Sequence, residues 1–275
     1  MKAMIKRALR YIVKGVPTYH LKAEVRYLSA SEKLKGKRII ITGGGRGLGF
    51  AMAKKFVEEG ASVLIAGRNG QTLENSAKIL GCQYTVLDVS NINSHSSFLK
   101  KAESLLGGLD CLVNNAGISL HEADYREVSQ ESFDAQINTN LKGPFFLTQI
   151  FVNRIKELKQ PASVLFISSE TGETVDERPY GWTKAATNSM VMGLAYRLAP
   201  DNIRVNAVAP GVTASDMTGL QGDGNIYTVN SPSRRIYLPE EVAEVASFLL
   251  SDVSGCISGQ VITCNNGKTI NARWK

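Results

Sequence analysis

Short apolar runs alternate, from residue 37 onwards, with longer segments whose apolar residues recur every three or four positions. The short runs predict seven β-strands: Arg38–Ile41, Ser62–Ala66, Gln83–Leu87, Cys111–Val113, Ser163–Ile167, Arg204–Val208 and Gln260–Thr263. The longer segments predict helices at Gly47–Glu59, in the polar segment that ends at about Leu80, and at Phe98–Leu106. Further helices are predicted at Ser132–Leu158, with an interruption at Gly143-Pro144, and around 181–199 and 239–250. Apolar strands separated by helices are typical of a parallel sheet with both faces covered. We therefore predict one α/β domain over residues 36–275, built on a doubly wound, seven-stranded parallel sheet.

The first 35 residues have a different pattern. Apolar side chains fall on one arc of a helical wheel and basic side chains on another: Ile5, Leu9, Ile12 and Val16 against Lys6, Arg7, Arg10 and Lys14. This predicts an amphipathic basic helix that ends near Gly15 and Pro17. Three interpretations of this N-terminal extension are open. The helix packs on the body or on a second subunit, or residues 1–16 contact an anionic membrane surface, or the segment is a cleaved organelle-targeting sequence.

The distribution of charge narrows the choice of partners. The formal net charge is +7, and residues 1–35, with nine basic and two acidic side chains, carry all of it. The balanced body argues against nucleic-acid binding. The longest uncharged run, residues 253–267, is shorter than the roughly 20 apolar residues of a bilayer-spanning helix. The four cysteines form no CxxC pair, so we expect buried thiols, a cytoplasmic location and no metal site.

A glycine-rich loop follows the first predicted strand and opens the first helix. It reads Thr42-Gly43-Gly44-Gly45-Arg46-Gly47-Leu48-Gly49. Glycines let the backbone approach a pyrophosphate closely, and a helix N-terminus offers unpaired N–H groups and the positive end of a dipole. The flanking strand and helix favour dinucleotide binding. The predicted cofactor-binding residues are Gly43, Gly45, Arg46, Gly47, Leu48 and Gly49.

The second strand ends in Ala66-Gly67-Arg68, about 20 residues beyond the glycine loop. An acidic residue at that place would bind the ribose 2′-hydroxyl of NAD. A guanidinium can instead pair with the 2′-phosphate of NADP, and Arg46 is placed to reach the same group. We therefore predict NADP(H) in preference to NAD(H).

Small or polar residues follow four further strands: Asp88-Val89, Asn114-Asn115-Ala116-Gly117, Ser168-Ser169 and Pro210-Gly211. Ligands of open α/β sheets bind beyond the carboxyl ends of the strands. These segments are therefore predicted to meet at one crevice.

Tyr180 and Lys184 lie four residues apart in a predicted helix, so they share a face. A free tyrosine has a pKa near 10. We expect the lysine charge to lower that pKa, because a nearby cation favours the phenolate. Such a pair can exchange a proton with a hydroxyl group, and the lysine can also bind a ribose.

In this order, the motifs resemble those of the short-chain dehydrogenase/reductase family over residues 37–267. The matching pieces are the TGxxxGxG loop, the NNAG segment at 114–117, Asn140-Leu141-Lys142-Gly143, the Ser–Tyr–Lys set and the Pro210-Gly211 turn. The resemblance implies a Rossmann fold and an NAD(P)-dependent enzyme that interconverts a small-molecule carbonyl and an alcohol. It also implies a homodimer or homotetramer.

The resemblance further implies a role for each matching residue. Tyr180 matches the general acid/base and Lys184 its pKa-lowering, ribose-binding partner. Asn140 matches the residue that holds a proton-relay water, and Ser169, in preference to Ser168, the serine that binds the substrate oxygen. Contacts to the adenine and nicotinamide sides are implied for Asp88, Val89, Asn114, Asn115, Ala116, Gly117, Pro210, Gly211, Val212 and Thr213, with Ser215 as an alternative to Thr213.

The chain departs from the family pattern in places. The Ser169–Tyr180 spacing of 11 residues is about two short of the commonest one, and the last strand ends in Asn265-Asn266-Gly267 where Asp-Gly-Gly is usual. Residues 216–239 are predicted to form a lid over the substrate. The short spacing leaves an alternative open, a catalytically silent nucleotide-binding scaffold or sensor. We predict that His20, His95 and His121 are surface or structural residues.

Overall fold

The computed structural model describes residues 20, 32–215, 217–220, 222 and 224–270. The predicted basic helix of residues 1–16 lies outside the described residues. Seven parallel strands form one sheet in the order β3-β2-β1-β4-β5-β6-β7. They are β1 (Arg38–Thr42), β2 (Ser62–Gly67), β3 (Gln83–Val86), β4 (Cys111–Asn114), β5 (Ala162–Ile167), β6 (Ile203–Pro210) and β7 (Val261–Cys264). The predicted seven-stranded parallel sheet is confirmed.

Helices cover both faces of the sheet. They are α1 (Gly47–Glu58), α2 (Gly70–Leu80), α3 (His95–Leu106), α4 (Gln130–Ile137), α5 (Gly143–Leu158), α6 (Pro179–Leu198) and α7 (Pro239–Leu250). Helices α1, α2 and α7 pack on one face, in a core that includes Phe56, and α3, α5 and α6 pack on the other around Phe151. Successive strand residues point to opposite faces, so Ile39 and Ile41 enter the first core and Ile40 the second. This double burial explains why the strands are continuously apolar.

The strand order places a crevice at one edge of the sheet. The chain builds outwards from β1 to β3 on one side and from β4 to β7 on the other. A ligand crevice forms at such a switch point, beyond the carboxyl ends of the strands. The glycine loop after β1 and the polar segments after β4, β5 and β6 all lie at this edge.

The predicted interruption of the helix at Gly143-Pro144 is wrong, because the helical backbone continues through these residues. A π-helical segment, Asn138–Lys142, joins α4 to α5. Pro144 lies in the first turn of α5, where its missing N–H does no harm. Gly143 is required for packing, since a Cβ there would lie 2.3 Å from the carbonyl oxygen of Val89. Wider π turns of this kind often occur at functional sites.

The packing of the body extends into the last residues of the predicted N-terminal extension. Leu34 is completely buried, and the backbone N–H of Lys33 donates to the Glu59 carboxylate at 3.2 Å. All four cysteines are free thiols. Cys111 is buried, Cys82 and Cys264 are partly buried and Cys256 is exposed, so the expectation of four buried thiols is confirmed for Cys111 alone. Among the described residues, no helix has the length and apolar character needed to cross a bilayer.

Candidate active site

The loop between β1 and α1 forms a backbone cradle. Gly43 and Gly47 have φ values of 68° and 53°, in the left-handed region that glycine tolerates best. A Cβ on Gly49 would lie 2.1 Å from the Gly43 carbonyl oxygen, so only glycine fits there. No side chain caps the N-terminus of α1, which leaves its first N–H groups to a ligand. These residues fit the pyrophosphate of a dinucleotide.

Asn115 stabilises this cradle through hydrogen bonds to its backbone. Its side-chain Nδ2 donates to the carbonyl oxygens of Thr42 and Gly43 at 2.9 and 3.0 Å. The backbone N–H groups of Asn115 and Ala116 both donate to the Thr42 hydroxyl at 3.1 Å. Two residues predicted to contact the cofactor therefore hold the cradle in shape, using polar groups that point towards the protein.

We expect Gly49→Ala to displace the cradle and weaken dinucleotide binding by about 100-fold, because overpacking of this severity costs roughly 3 kcal/mol. Fluorescence titration with NADPH measures the affinity. Gly193→Ala in α6 is the matched control, since no atom lies within 4 Å of the added Cβ. The control should leave binding unchanged and stabilise the fold by about 0.5–1 kcal/mol. Parental affinity in Gly49→Ala would contradict the assignment of the cradle.

The charged residues predicted for the adenosine side lie at the ends of β1, β2 and β3. Arg46 and Arg68 are exposed, and the pairing of Thr42 with Ala66 places both at the same sheet edge. Asp88 is exposed, and its carboxylate accepts hydrogen bonds from the backbone N–H and the hydroxyl of Ser90. Val89 differs, because its side chain is buried in the core and its carbonyl pairs with the ring of His95 at 2.9 Å. Only the backbone of Val89 is thus left for a cofactor, and His95 is structural.

The structure brings Ser169, Tyr180 and Lys184 together at the end of β5. Helix α6 begins at Pro179, so Tyr180 and Lys184 lie one turn apart on the same face. The Ser169 side chain lies close enough to the Tyr180 phenol to act on its pKa, and Lys184 Nζ lies 5.5 Å from the centroid of the tyrosine ring. Lys184 is 6% exposed, and its Nζ donates to the carbonyl oxygen of Ile167 at 2.8 Å.

The electrostatics of this group differ from the prediction that Lys184 lowers the tyrosine pKa. Burial raises the pKa of Tyr180, the neighbouring Ser169 side chain opposes that rise, and the Asp176 carboxylate adds to it. Burial lowers the pKa of Lys184 itself to about 8. The lysine ammonium donates its hydrogen bond to a backbone carbonyl and makes none to the phenol oxygen, which explains the difference. A phenol with a raised pKa keeps its proton at neutral pH, but it is a weaker acid than a free tyrosine.

The short Ser169–Tyr180 spacing does not separate the two side chains. Ser169 caps a 3₁₀ turn, Glu170–Glu173, and its Oγ accepts from Thr171 N at 3.2 Å. Asp176 then packs against Gly181, where a Cβ would lie 2.3 Å from the aspartate Cβ. Ser168 points elsewhere, since its hydroxyl donates to Asn188 Oδ1. The choice of Ser169 over Ser168 therefore agrees with the geometry.

Asn140 connects the π-helical segment to the β4 loop. It is 4% exposed, and its amide exchanges two 2.8 Å hydrogen bonds with the backbone of Ile118. A Cβ on Gly117 would lie 3.4 Å from Asn140 Oδ1 and 3.7 Å from Lys184 Nζ. Asn140, Gly117 and Lys184 therefore share one buried corner of the crevice. Asn114 is also buried, and its amide donates to Thr148 inside the core, away from the crevice.

The segment after β6 folds back over the crevice. Pro210 ends β6, Thr213 Oγ1 donates to the Gly211 carbonyl, and Val212 is partly exposed. Ser215 approaches the cradle instead, with its Cβ 3.6 Å from a Cβ built on Gly47. Ala214, Ile226 and Ile236 form a small core of their own. His121 is exposed, and its ring Nε2 pairs with the Met217 carbonyl at 2.8 Å, so the segment predicted to form a lid has a polar contact with the loop after β4.

Sequence reasoning missed a second charged group beside Ser169. Glu170 is 7% exposed, and its carboxylate accepts from Lys268 Nζ at 2.6 Å. Both residues line a cavity of about 360 Å³, together with Val212 and with Tyr227, Asn230 and Arg235 of the segment predicted to form a lid. The sequence did contain one signal of this group. The chain departs from Asp-Gly-Gly at the end of β7, in the segment that supplies Lys268.

Comparisons with known proteins agree with this geometry. Residues 43–269 match the family model described as Enoyl-(Acyl carrier protein) reductase. The chain is 36% identical over 246 residues to the 3-oxoacyl-[acyl-carrier-protein] reductase FabG of Aquifex aeolicus, covering 86% of this chain and 98% of the relative. It is 31% identical to the 3alpha-hydroxysteroid dehydrogenase of Mediterraneibacter gnavus, covering 84% of this chain and 96% of that protein.

A solved structure gives the same result. The 3-ketoacyl-(acyl-carrier-protein) reductase from Brucella melitensis, complexed with NADH, superposes with a TM-score of 0.80 at 30% identity. The superposition covers 86% of this chain and 100% of that structure. The sheet order, the glycine cradle, the cluster at the end of β5 and these relatives lead to one conclusion. The chain belongs to the short-chain dehydrogenase/reductase family of NAD(P)-dependent oxidoreductases.

Proposed function

We propose that this enzyme uses NADP(H) to interconvert a ketone or aldehyde and the corresponding alcohol. The observation that carries the proposal is the Tyr180 phenol, beside the Ser169 side chain and next to buried Lys184, at the same sheet edge as the glycine cradle. When bound, the nicotinamide supplies or accepts a hydride at the carbonyl carbon.

Each residue of the cluster has a role in this proposal. Tyr180 donates a proton to the carbonyl oxygen during reduction and removes it during oxidation. Ser169 holds the same oxygen by a hydrogen bond. Lys184 binds the ribose and supplies positive charge. Asn140 holds a water molecule that relays a proton to the Tyr180–Lys184 cluster. The cradle and residues 210–213 would hold the cofactor.

For the cofactor, we propose that Arg46 and Arg68 bind the 2′-phosphate of NADP. Arg68→Asp is expected to weaken NADPH binding by about 10- to 100-fold, the range for one to two lost charge-assisted hydrogen bonds, and to leave NADH binding unchanged or tighter. Titration with each nucleotide measures the change. Arg197→Asp in α6 reverses the same charge away from the cradle and serves as the control. Equal binding of both nucleotides before and after Arg68→Asp would contradict the assignment.

The relatives carry different names, an acyl-carrier-protein reductase and a hydroxysteroid dehydrogenase, so substrate class has to be measured. The deciding experiment follows NADPH consumption with a panel containing a 3-oxoacyl thioester, a steroid ketone, simple ketones and aldehydes. We expect turnover of at least one member. Tight NADPH binding with no turnover on the panel, or on the matching alcohols with NADP, would favour the nucleotide-bound scaffold or sensor.

We also propose a homodimer or homotetramer, which sedimentation measures directly.

The basic residues 1–16 are proposed to contact anionic membranes peripherally. Flotation with acidic and neutral vesicles, with and without residues 1–20, tests that contact. Equal flotation of both forms would contradict it.

A further inference from the structure

The Glu170 carboxylate lies among groups from three different strand ends. Glu170 directly follows Ser169 in the turn after β5. Its Oε1 accepts from Lys268 Nζ at 2.6 Å, and its Oε2 accepts from Asn265 Nδ2 at 3.2 Å. Both partners come from the segment that follows β7. The same Oε2 lies 3.2 Å from a Cβ built on Gly211, so the carboxylate also packs against the turn after β6.

These contacts connect the two sides of the reacting centre. Ser169 caps the turn that contains Glu170, its Oγ accepts from Thr171 N and from the Thr171 hydroxyl, and its side chain faces the Tyr180 phenol. Gly211 lies in the turn proposed to face the nicotinamide. A displacement of Glu170 would therefore move the serine relative to that turn. A buried carboxylate is expensive unless it is paired, and a buried ion pair is by itself weak evidence of stabilisation.

We propose that Glu170 is a positioning residue, which, with Lys268, sets the position of Ser169 relative to the Pro210–Val212 turn. The proposal rests on the proposed function for its catalytic consequence. Its structural content, that the segment after β7 controls the Ser169–Tyr180 contact, stands independently of any substrate.

Glu170→Gln is the first test. It preserves the shape of the side chain and removes the charge that pairs with Lys268. We expect kcat for carbonyl reduction to fall about 10- to 100-fold, because small displacements of positioning groups have effects of that size. NADPH affinity, measured by fluorescence, should be unchanged, since the cradle is held by other residues.

A pH titration separates positioning from a structural role. Ser169 lowers the pKa of Tyr180, whereas burial and Asp176 raise it, and the Lys184 ammonium faces the same ring. Displacing Ser169 should therefore move the Tyr180 titration to higher pH. Ultraviolet titration of phenolate in the cofactor-free protein, with the Tyr180→Phe variant subtracted, detects the shift without any turnover.

Glu173→Gln is the matched control. Glu173 lies in the same turn and is exposed, and its carboxylate bonds only to the Thr263 and Thr269 hydroxyls within the described residues. It should retain parental kcat and titration. Lys268→Met removes the exposed partner of the same ion pair, so it tests the proposal even if Glu170→Gln does not fold. The double variant should lose no more than the larger single loss, because both changes break one interaction.

Two results would overturn the proposal: a parental phenolate titration in both Glu170→Gln and Lys268→Met, or an equal shift in Glu173→Gln. Failure of the proposed function looks different. In that case the parent protein turns over no carbonyl, whereas the titration shift is still seen in Glu170→Gln.

Discussion

Tyr180→Phe is expected to lower kcat for carbonyl reduction by about 10³-fold, within the range for loss of a general acid. The substitution removes one oxygen atom from a partly buried ring and leaves the packing of the ring in place. Ser169 keeps its hydrogen bond from Thr171 N, so its Oγ is not left unpaired. We therefore expect a stability change of no more than about 1 kcal/mol, which is what the loss of a hydrogen bond would cost. NADPH consumption measures the rate, and thermal unfolding measures the stability.

Tyr196→Phe is the matched control for this change. Tyr196 lies on the same helix, but its side chain is 88% exposed and outside the crevice. It should have parental kcat and stability. The acid/base assignment is wrong if Tyr180→Phe retains nearly full activity. If Tyr180→Phe loses its affinity for NADPH along with its activity, the hydroxyl contributes to cofactor binding. The loss of activity then does not by itself identify Tyr180 as the proton donor.

The fold could be predicted because each strand carries its own signal. Burial on both faces produces continuous apolar runs, as in β1 and β5, and glycines or polar residues mark where these runs end. The join between α4 and α5 was predicted less well. Gly143 and Pro144 are a local signal of a break, whereas the requirement for close packing against Val89 comes from a segment more than 50 residues away.

The candidate site divides in the same way. Residues of one loop or one helix face, such as the glycine cradle and the Tyr180–Lys184 pair, could be found because their chemistry follows from local spacing. The direction of the Tyr180 pKa could not be predicted, since it depends on burial and on Asp176 in a neighbouring turn. Glu170 was missed for a related reason, because its partner Lys268 is 98 residues away in the sequence.

Lys184→Met is expected to abolish most of the activity without destabilising the protein. Burial lowers the pKa of Lys184 from 10.5 to about 8, so keeping it charged at pH 7 costs stability on the order of 3 kcal/mol. The substitution removes that cost but leaves the Ile167 carbonyl without its 2.8 Å hydrogen bond, a loss of about 1–3 kcal/mol. The two effects oppose each other, so the thermal midpoint should be equal to or above that of the parent. Activity should fall at least about 100-fold, as expected when a charged group of the acid/base cluster is lost.

The pH dependence of stability gives this prediction its sharpest test. Between about pH 8 and pH 10.5 the unfolded chain holds the Lys184 proton and the folded chain releases it. Stability of the parent should therefore rise with pH across that window, and the burial penalty is fully present below it. Lys184→Met should lose this contribution, whereas Lys78→Met, which removes a 70% exposed ammonium, should retain it. A midpoint well below the parent at pH 7, or an unchanged pH slope, would show that the buried ammonium stabilises the fold. Lys184 would then be a structural residue as well as a member of the acid/base cluster.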